Sequence, residues 1–271
     1  MAKNDAPKNF RKTLEKIQMG SHRSGMEVLG CFGIMAACAL SFGTREEQYL
    51  AEVGRWKRDE VYAFSQAFGE YCDELTASGS LFEDRLGPLL MDRRANGDRQ
   101  WRGEFHTPWS LCQMMARMTL PEPPEDRPLE VLEPAAGTGA MVLAIAEALK
   151  DKGFGLLQMR ATLVEIDADA CRLAYVQLTI NGIPCRVIHG NSISQAVWDE
   201  WVNPYWHESA EKYSFLRMCH GARKALELED VSKTAPSVVE PEHVGDLPAV
   251  EVLKMAAAAQ PSLFDLEASV A

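Results

Sequence analysis

Two glycines and two carboxylates stand in the sequence where a nucleotide-binding unit needs them. Gly137 and Gly139 lie in the small-residue segment 135–140, and glycine allows both positive φ and close approach of a ligand to the backbone. Glu165 and Asp167 close the apolar segment 161–167, where a carboxylate can accept hydrogen bonds from two ribose hydroxyls. We expect Glu165 to have this role, with Asp167 as the alternative. A solvated carboxylate at a strand end is the other interpretation of both residues.

The elements around these residues alternate between strand and helix patterns. Residues 129–132 form a short apolar run that Glu133 and Pro134 end, and a helix of good formers begins at Met141. Further strand patterns occupy 161–167, 185–188 and, more weakly, 197–202, with a helix over 170–181. This order predicts an α/β fold in which strand, glycine turn and helix form the first half of a nucleotide-binding unit. An ordinary turn between strand and helix is the plainer interpretation, because a lone G-x-G is a weak motif.

Helical patterns flank this core. The run 28–42 is the most apolar of the chain, but it is too short and too rich in glycine for a membrane span, so we expect a buried helix. Another helix is predicted over 46–75. Thr107 is predicted to cap a helix with Pro108 at its first position and an apolar stripe of Leu111, Met114, Met115 and Met118. The chain divides into a helical N-terminal region (1–100), a core (101–226) and an acidic linker with a C-terminal tail (227–271).

Composition places the chain among globular proteins. It has 271 residues, of which 46% are hydrophobic and 25% charged, and its net charge is −11. Basic residues nevertheless concentrate near the N-terminus and in a cluster of Arg93, Arg94, Arg99 and Arg102, which could follow phosphates or could be a solvated face. The seven cysteines form no C-x-x-C pair, which favours reduced thiols, a cytoplasmic protein and no metal site.

Five blocks of the sequence resemble, in order, motifs of the adenine-specific DNA methyltransferases. They read GEFHTP at 103–108, EPAAGTG at 133–139, AYVQLTINGI at 174–183, GNSI at 190–193 and NPYW at 203–206. The corresponding family motifs are G-Q-F-Y-T-P, D-P-A-C-G-S-G, N-L-x-x-H-G-I, G-D-T-L and N-P-P-Y or N-P-P-F. The nearest likeness is to the methylation subunit of type I restriction–modification systems, of which this chain would be a short and divergent member.

The resemblance implies a Rossmann-like core that binds S-adenosylmethionine and methylates the exocyclic amino group of adenine in double-stranded DNA. It implies a cofactor site made of Phe105, Thr107, Pro108, Glu133, Pro134, Ala135, Gly137, Gly139, Glu165, Asp167 and Asn191. Glu165 would bind the ribose and Asn191 would lie at the adenine edge. Asn203 and the Pro204 carbonyl would accept hydrogen bonds from a flipped adenine, next to Tyr205, and Trp206 would stack on the base. The resemblance implies no metal in this reaction.

The sequence departs from the family pattern at three positions and leaves the function open. Glu133 replaces Asp, Asn191 replaces an acid, and Tyr205 replaces the second Pro of the catalytic block. Only residues 206–271 follow that block, so the sheet is either abbreviated or completed by the N-terminal region or a partner. A separate specificity subunit would supply sequence recognition. The alternatives to an adenine methyltransferase are a catalytically inactive subunit or regulator of the same fold, and a methyltransferase acting on RNA or protein.

The C-terminal tail carries one further resemblance. Residues 260–264 read QPSLF and resemble the pentapeptide with which bacterial replication proteins bind the sliding clamp. Leu263 and Phe264 would fill an apolar pocket of the clamp while Gln260 bonds at its rim. Packing of Phe264 on its own domain is the alternative.

Overall fold

The computed structural model describes residues 9–77, 82–94 and 107–233, with side chains described as far as residue 218. Six helices in these ranges precede the sheet: α1 (Asn9–Ser21), α2 (Gly25–Ala39), α3 (Glu46–Val53), α4 (Arg58–Ala77), α5 (Leu86–Arg93) and α6 (Trp109–Thr119). The elements that follow are β1 (Leu129–Glu133), α7 (Ala140–Asp151), β2 (Met159–Glu165), α8 (Ala168–Ile180), β3 (Cys185–Asn191), β4 (Ala196–Val202) and α9 (Pro204–Lys233). No helix in the described ranges is both long enough and apolar enough to cross a membrane.

The strands form one sheet in the order β1-β2-β3-β4. β1, β2 and β3 are parallel, so that Val131 pairs with Ala161 and Ala161 with Cys185. β4 returns antiparallel to β3, with Trp201 opposite Val187. The predicted α/β fold is therefore confirmed, and its first three strands follow the predicted order.

One face of the sheet carries the core. Met159, Ala161 and Leu163 of β2 are fully buried and alternate with half-buried neighbours. Right-handed connections between parallel strands place α7 and α8 on this same face. The opposite face is more open in the described part of the chain, where Leu132 is 69% exposed.

The N-terminal helices pack on α8 rather than forming a separate body. α2 is buried along nearly its whole length, and a Cβ on Gly33 would lie 3.2 Å from Leu173 of α8. Phe10, Phe32 and Tyr71 join α1, α2 and α4 through ring contacts with centroids 5.0, 5.3 and 6.4 Å apart. Met1–Ala222 forms one compact unit and Arg223–Ala271 a second. The boundary predicted at residue 100 therefore does not separate two compact units.

The helix predicted over 46–75 is two helices. α3 ends with Gly54 as its C-cap, and α4 begins at Arg58. Trp56 lies in the connection and is buried, with its indole N–H donating to Glu52 (3.2 Å) and its ring edge-on to Phe64. Trp56 is buried like several apolar residues of α4, so the apolar spacing in the sequence looks like one continuous helix. The backbone nevertheless leaves the helix between Val53 and Arg58.

The apolar stripe of α6 faces outward. Met118 is 78% exposed and Met114 is 51% exposed, whereas the buried residues of α6 are Cys112 and Ala116. The α6–α7 contact is flanked by a hydrogen bond from Gln113 to Glu147 (2.6 Å). Small side chains let two helices approach closely, so α6 packs through its small residues and leaves its large ones exposed.

Candidate functional site

The carboxyl ends of the three parallel strands bring the predicted cofactor residues to one edge of the sheet. Glu133 ends β1, Glu165 ends β2 and Asn191 ends β3. Glu165 pairs in register with His189, two residues before Asn191. Ligands of open α/β sheets bind outside this edge.

The glycine turn after β1 has the conformation that its sequence predicts. Gly137 and Gly139 have φ of 52° and 89°, in the left-handed region that favours glycine. The Gly139 N–H donates to Ala136 O (2.8 Å), and the Ala136 N–H donates to Val164 O of β2 (3.0 Å). A Cβ on Gly137 would contact nothing within 4 Å, whereas a Cβ on Gly139 would contact Ala174 at 3.6 Å. The turn is therefore packed beneath Gly139 and open above Gly137, where a ligand can approach.

Glu165 is bonded to the glycine turn. Its Oε2 accepts from the Gly137 N–H (2.7 Å) and its Oε1 from the Asp167 N–H (2.9 Å). A carboxylate has about four lone-pair positions, so both oxygens retain capacity for a further donor. Asp167 has a structural environment instead, since it caps α8 through the Ala170 N–H (2.8 Å) and pairs with buried Arg94 (2.9 Å). Of the two predicted ribose ligands, Glu165 is the one in contact with the turn.

Glu133 adds a second carboxylate to the same edge. It is half-buried, and its Oε1 accepts from the Ala135 N–H (3.3 Å). Burial raises the pKa of Glu133 above its ordinary value, and the charge of Glu165 raises it further. Two carboxylates this close make the edge favourable for a cation.

The end of β3 carries polar and apolar groups that belong to a hairpin. Asn191 Oδ1 accepts from the N–H groups of Ile193 (2.9 Å) and Ser194 (3.1 Å), which forms the turn into β4.

Two exposed residues at this edge were missed by sequence reasoning. Ile166 directly follows Glu165 and is 59% exposed, and Trp198 lies edge-on to His189 with centroids 4.9 Å apart. Ile166 could have been suspected from its place between Glu165 and Asp167.

The GEFHTP block is described only in part. Phe105 lies outside the described residues, while Thr107 and Pro108 lead into α6. The predicted capping by Thr107 is wrong: Pro108 is the N-cap, α6 begins at Trp109, and no side chain caps it. Burial raises the pKa of Cys112 in the first turn of α6, and the charges of Asp84 and Glu133 raise it further.

The arginine cluster is partly used inside the protein. Arg93 donates to Gln18 and lies 3.9 Å from Glu15, both on α1. Arg94 is buried in its pair with Asp167. Arg99 and Arg102 lie outside the described residues. Arg93 therefore contacts α1, and Arg94 contacts Asp167 at the start of α8. These internal contacts correct the expectation that the two arginines follow phosphates.

Asn203 lies at the opposite edge of the sheet. β4 is antiparallel, so Val202 pairs with Arg186 at the amino end of β3. The Cys185 N–H donates to Asn203 Oδ1 (3.1 Å), and the Asn203 amide donates to Ile183 O (2.8 Å). From Cys185 to His189, β3 rises about 13 Å toward the edge that carries Glu165. The structure thus contradicts the prediction that Asn203 lies beside the glycine turn.

The NPYW block begins a helix. Asn203 Oδ1 accepts from the Trp206 N–H (3.2 Å), as an N-cap does, and Pro204 is the first residue of α9. The Arg160 guanidinium covers the Trp206 ring at 3.7 Å, and Tyr205 Cζ lies 4.0 Å from a Cβ placed on Gly182. The predicted target-base pocket of Asn203, Pro204, Tyr205 and Trp206 is therefore corrected to a helix start packed on the amino edge of the sheet.

The sequence contained a signal for this arrangement. Only residues 192–195 separate β3 from β4. A parallel neighbour would need a connection of a dozen or more residues, whereas an antiparallel neighbour needs a short turn. The spacing between GNSI and NPYW therefore required the chain to return to the amino edge.

One protein-family model matches the part of the chain that contains the sheet. The model of the N-6 DNA methylases matches residues 84–212, just under half of the chain. Residues 84–212, the methylase segment, are similar to the N-6 DNA methylases. The methylase segment begins immediately before α5 and ends within α9, so it contains the glycine turn, Glu133, Glu165 and Asn191.

Two solved structures resemble the chain at low identity. One is assigned as a modification subunit of a type I restriction enzyme from Vibrio vulnificus, with 19% identity and a TM-score of 0.31 over 51% of this chain and 25% of that chain. The other is assigned as a class I S-adenosylmethionine-dependent methyltransferase from Listeria monocytogenes, with 15% identity and a TM-score of 0.39 over 72% and 57%. This chain thus spans about a quarter of the length of the Vibrio vulnificus protein and just over half of the length of the Listeria monocytogenes protein. TM-scores of this size do not establish that the folds share one arrangement of helices and strands. The comparison with curated proteins gives no match.

The methylase segment also contains a buried polar cluster that sequence reasoning missed. Its members are Asp84, Thr138 and Gln177, all nearly or fully buried. Thr138 lies between the two glycines of the turn, and Asp84 is the first residue matched by the family model. The available signal was a polar residue, Gln177, within the otherwise apolar run 173–178 of α8.

Proposed function

We propose that this chain is an N-6 DNA methylase and that it binds S-adenosylmethionine at the carboxyl edge of β1 and β2. The observation that carries the proposal is the convergence there of two positive-φ glycines and two carboxylates, with open space above Gly137. Glu165 would accept hydrogen bonds from the ribose hydroxyls. Glu133, Pro134 and Ala135 would line the same hollow, and the carboxylates would attract the positive charge of the sulfonium and ammonium groups.

The remaining predicted contacts fit the same placement. Asn191 and exposed Ile166 would lie along the adenine, which offers both polar edges and an apolar face. Thr107 and Pro108, which lead into α6, would lie on the methionine side, as the resemblance of the GEFHTP block implies. Asp167 is assigned to the cap of α8 and to Arg94 instead of to the cofactor.

For the reaction, we propose transfer of the methyl group to the exocyclic amino nitrogen of adenine in double-stranded DNA. S-adenosylmethionine supplies an activated methyl group, and the amino nitrogen loses a proton as it gains the methyl. The family match supports DNA as the substrate. Groups other than Asn203 and Trp206 would have to hold the flipped base, because both are engaged at the opposite edge.

The position of Asn203 favours a second candidate, a subunit that binds the cofactor without its own target-base pocket. Such a subunit would act in an assembly, and a partner would supply the base pocket or the sequence recognition. A separate specificity subunit fits this candidate, and the similar Vibrio vulnificus protein is assigned as a modification subunit. The clamp-like residues Gln260, Leu263 and Phe264 lie outside the described residues, and their role stays a prediction.

Calorimetric titration with S-adenosylmethionine tests the cofactor site. Gly137→Ala would place a methyl group in the open space above the turn, and we expect it to abolish measurable binding. Gly153→Ala is the matched control, because Gly153 also has positive φ (84°) and open space around its Cβ position but lies after α7. Equal binding by the two variants, or no binding by the wild type, would contradict the proposal.

Methyl transfer to unmethylated DNA distinguishes the two candidates. Incubation with labelled cofactor and mapping of modified bases should give labelled adenine if the chain methylates DNA itself. Cofactor binding without transfer, even in the presence of DNA, would support the cofactor-binding subunit. Label in RNA or protein, with none in DNA, would overturn both candidates.

A further inference from the structure

A buried hydrogen-bond cluster connects the glycine turn to α5 and α8. Gln177 is fully buried in α8, between the buried side chains of Val176 and Leu178. Its Nε2 donates to Thr138 O (2.9 Å) and to Asp84 Oδ1 (2.9 Å). Its Oε1 accepts from the N–H groups of Arg85 (3.0 Å) and Leu86 (3.2 Å) at the start of α5. One amide side chain therefore joins three segments that are distant in sequence.

Asp84 and Thr138 complete the cluster. The Thr138 hydroxyl lies 3.3 and 3.2 Å from the two carboxylate oxygens of Asp84. The Gly87 N–H donates to Asp84 Oδ1 (2.9 Å), so Asp84 also holds the first turn of α5. Both the backbone carbonyl and the side chain of Thr138 are thus held by buried groups, whereas a Cβ on neighbouring Gly137 would meet nothing within 4 Å.

This arrangement restrains the most adaptable part of the cofactor site. Thr138 is flanked by two glycines, and glycine loses more conformational freedom on folding than any other residue. Without bonds to Thr138, the segment Gly137–Thr138–Gly139 would sample several conformations. Binding a ligand on such a segment would then cost additional ordering entropy.

We propose that Gln177 and Asp84 are positioning residues that hold the glycine turn, through Thr138, in the conformation that accepts the cofactor. The proposal rests on the proposed binding of S-adenosylmethionine. It makes α5 part of the cofactor site, although α5 contacts no cofactor group itself. Loss of the cluster should lower cofactor affinity by more than a general loss of stability explains.

The chain offers a matched pair of variants for this test. Gln177 and Asn203 are both fully buried amides that bond to backbone groups of other segments, one near the glycine turn and one at the opposite edge. We expect Gln177→Leu and Asn203→Leu to lower the unfolding midpoint in urea to similar extents. Only Gln177→Leu should weaken cofactor binding in calorimetry, by about tenfold.

Hydrogen exchange gives a measurement that does not require cofactor. In Gln177→Leu, amide exchange should accelerate in residues 135–140, whereas in Asn203→Leu it should accelerate in residues 183–186. Thr138→Val and Thr138→Ser provide a second comparison, should Gln177→Leu fail to fold. The valine variant should bind cofactor more weakly, and the serine variant, which keeps the hydroxyl, should bind like the wild type.

The outcomes separate this proposal from the proposed function. If the wild type binds no cofactor, the proposed function fails, while the exchange pattern still tests the positioning of the turn. If the wild type binds and the Thr138 and Gln177 variants bind equally well, the positioning proposal is overturned. Unchanged exchange in residues 135–140 of Gln177→Leu would overturn it as well.

Discussion

At the scale of single residues, neighbouring carboxylates at the site have different hydrogen-bond and ion-pair partners. Glu165 and Asp167 are two positions apart, yet Glu165 bonds to the glycine turn and Asp167 to the cap of α8 and Arg94. Glu133 has a raised pKa because it is buried and lies near the charge of Glu165. A cationic ligand would relieve that repulsion. Ionisation of Glu133 should therefore increase cofactor affinity while it lowers the stability of the free protein.

Cofactor affinity should therefore rise with pH through the raised pKa of Glu133 and become constant above it, because only the ionised carboxylate attracts a cation. Glu133→Gln should weaken binding by roughly ten- to 150-fold, since an interaction with a charged group contributes roughly 1.5–3 kcal/mol and about 1.4 kcal/mol is a factor of ten. It should also flatten the acidic part of the profile. Titration calorimetry between mildly acidic and neutral pH measures both effects.

The stability of the free protein should change in the other direction. A carboxyl whose folded pKa exceeds its unfolded pKa destabilises the fold above the folded value, and this cost vanishes below the unfolded value. Glu133→Gln should thus raise the unfolding midpoint at neutral pH. Glu130→Gln, on the same strand but facing Arg160, is the control and should change neither affinity nor midpoint. A wild-type pH profile in Glu133→Gln would rule out this role for Glu133.

At the scale of elements, local patterns predicted the carboxyl edge of β1 and β2 but not the direction of β4. The strand, the glycine turn, the helix and the acid that ends β2 are encoded within a few residues of one another, and all appear as predicted. Asn203 was misplaced because N-P is also the start of a helix, and its position depends on the four-residue turn before β4. The N-P motif does not itself contain the connection that determines at which edge of the sheet it lies.

α6 gives a second case in which the pattern alone was insufficient. Its large apolar residues form a stripe in the sequence pattern, but the side packed on α7 consists of Cys112 and Ala116. Periodicity locates an apolar face, while packing against a neighbour depends on how closely two backbones can approach. Exposed Met114 and Met118 therefore contribute little to the stability of the described unit.

Substitutions on the two faces of α6 should differ accordingly. Met118→Lys should change the free energy of unfolding by less than about 0.5 kcal/mol, as substitutions at exposed positions do. Ala116→Leu should lower it by about 1–3 kcal/mol, because no space is left at the α6–α7 contact. Urea unfolding followed by circular dichroism compares them, with Met115→Leu as a control at a neighbouring position. A larger loss for Met118→Lys than for Ala116→Leu would show that the stripe is covered.

At the scale of the whole molecule, the N-terminal helices belong to the same compact unit as the methylase segment. The family match begins at residue 84, but Tyr71 of α4 lies within hydrogen-bond distance of Gln177 (3.5 Å), and Arg45 pairs with Asp199 of β4 (2.9 Å). α2 covers α8, whose other side covers the sheet. The sequence suggested a separate helical region because its composition and periodicity change near residue 100, and such local features do not reveal which surfaces are shared.

A chain that starts at residue 82 should therefore fail to fold, even though it contains the whole matched segment. Removing α1–α4 would expose the apolar surface of α8 beneath α2 and leave Gln177 without Tyr71, so we expect no cooperative transition in urea and strong binding of a hydrophobic dye. A chain that ends at residue 233 is the control, since it keeps all of Met1–Ala222 and should unfold like the full chain. Cooperative unfolding of the shorter fragment, with cofactor binding retained, would mean that the methylase segment is a domain in its own right and that the helices only attach to it.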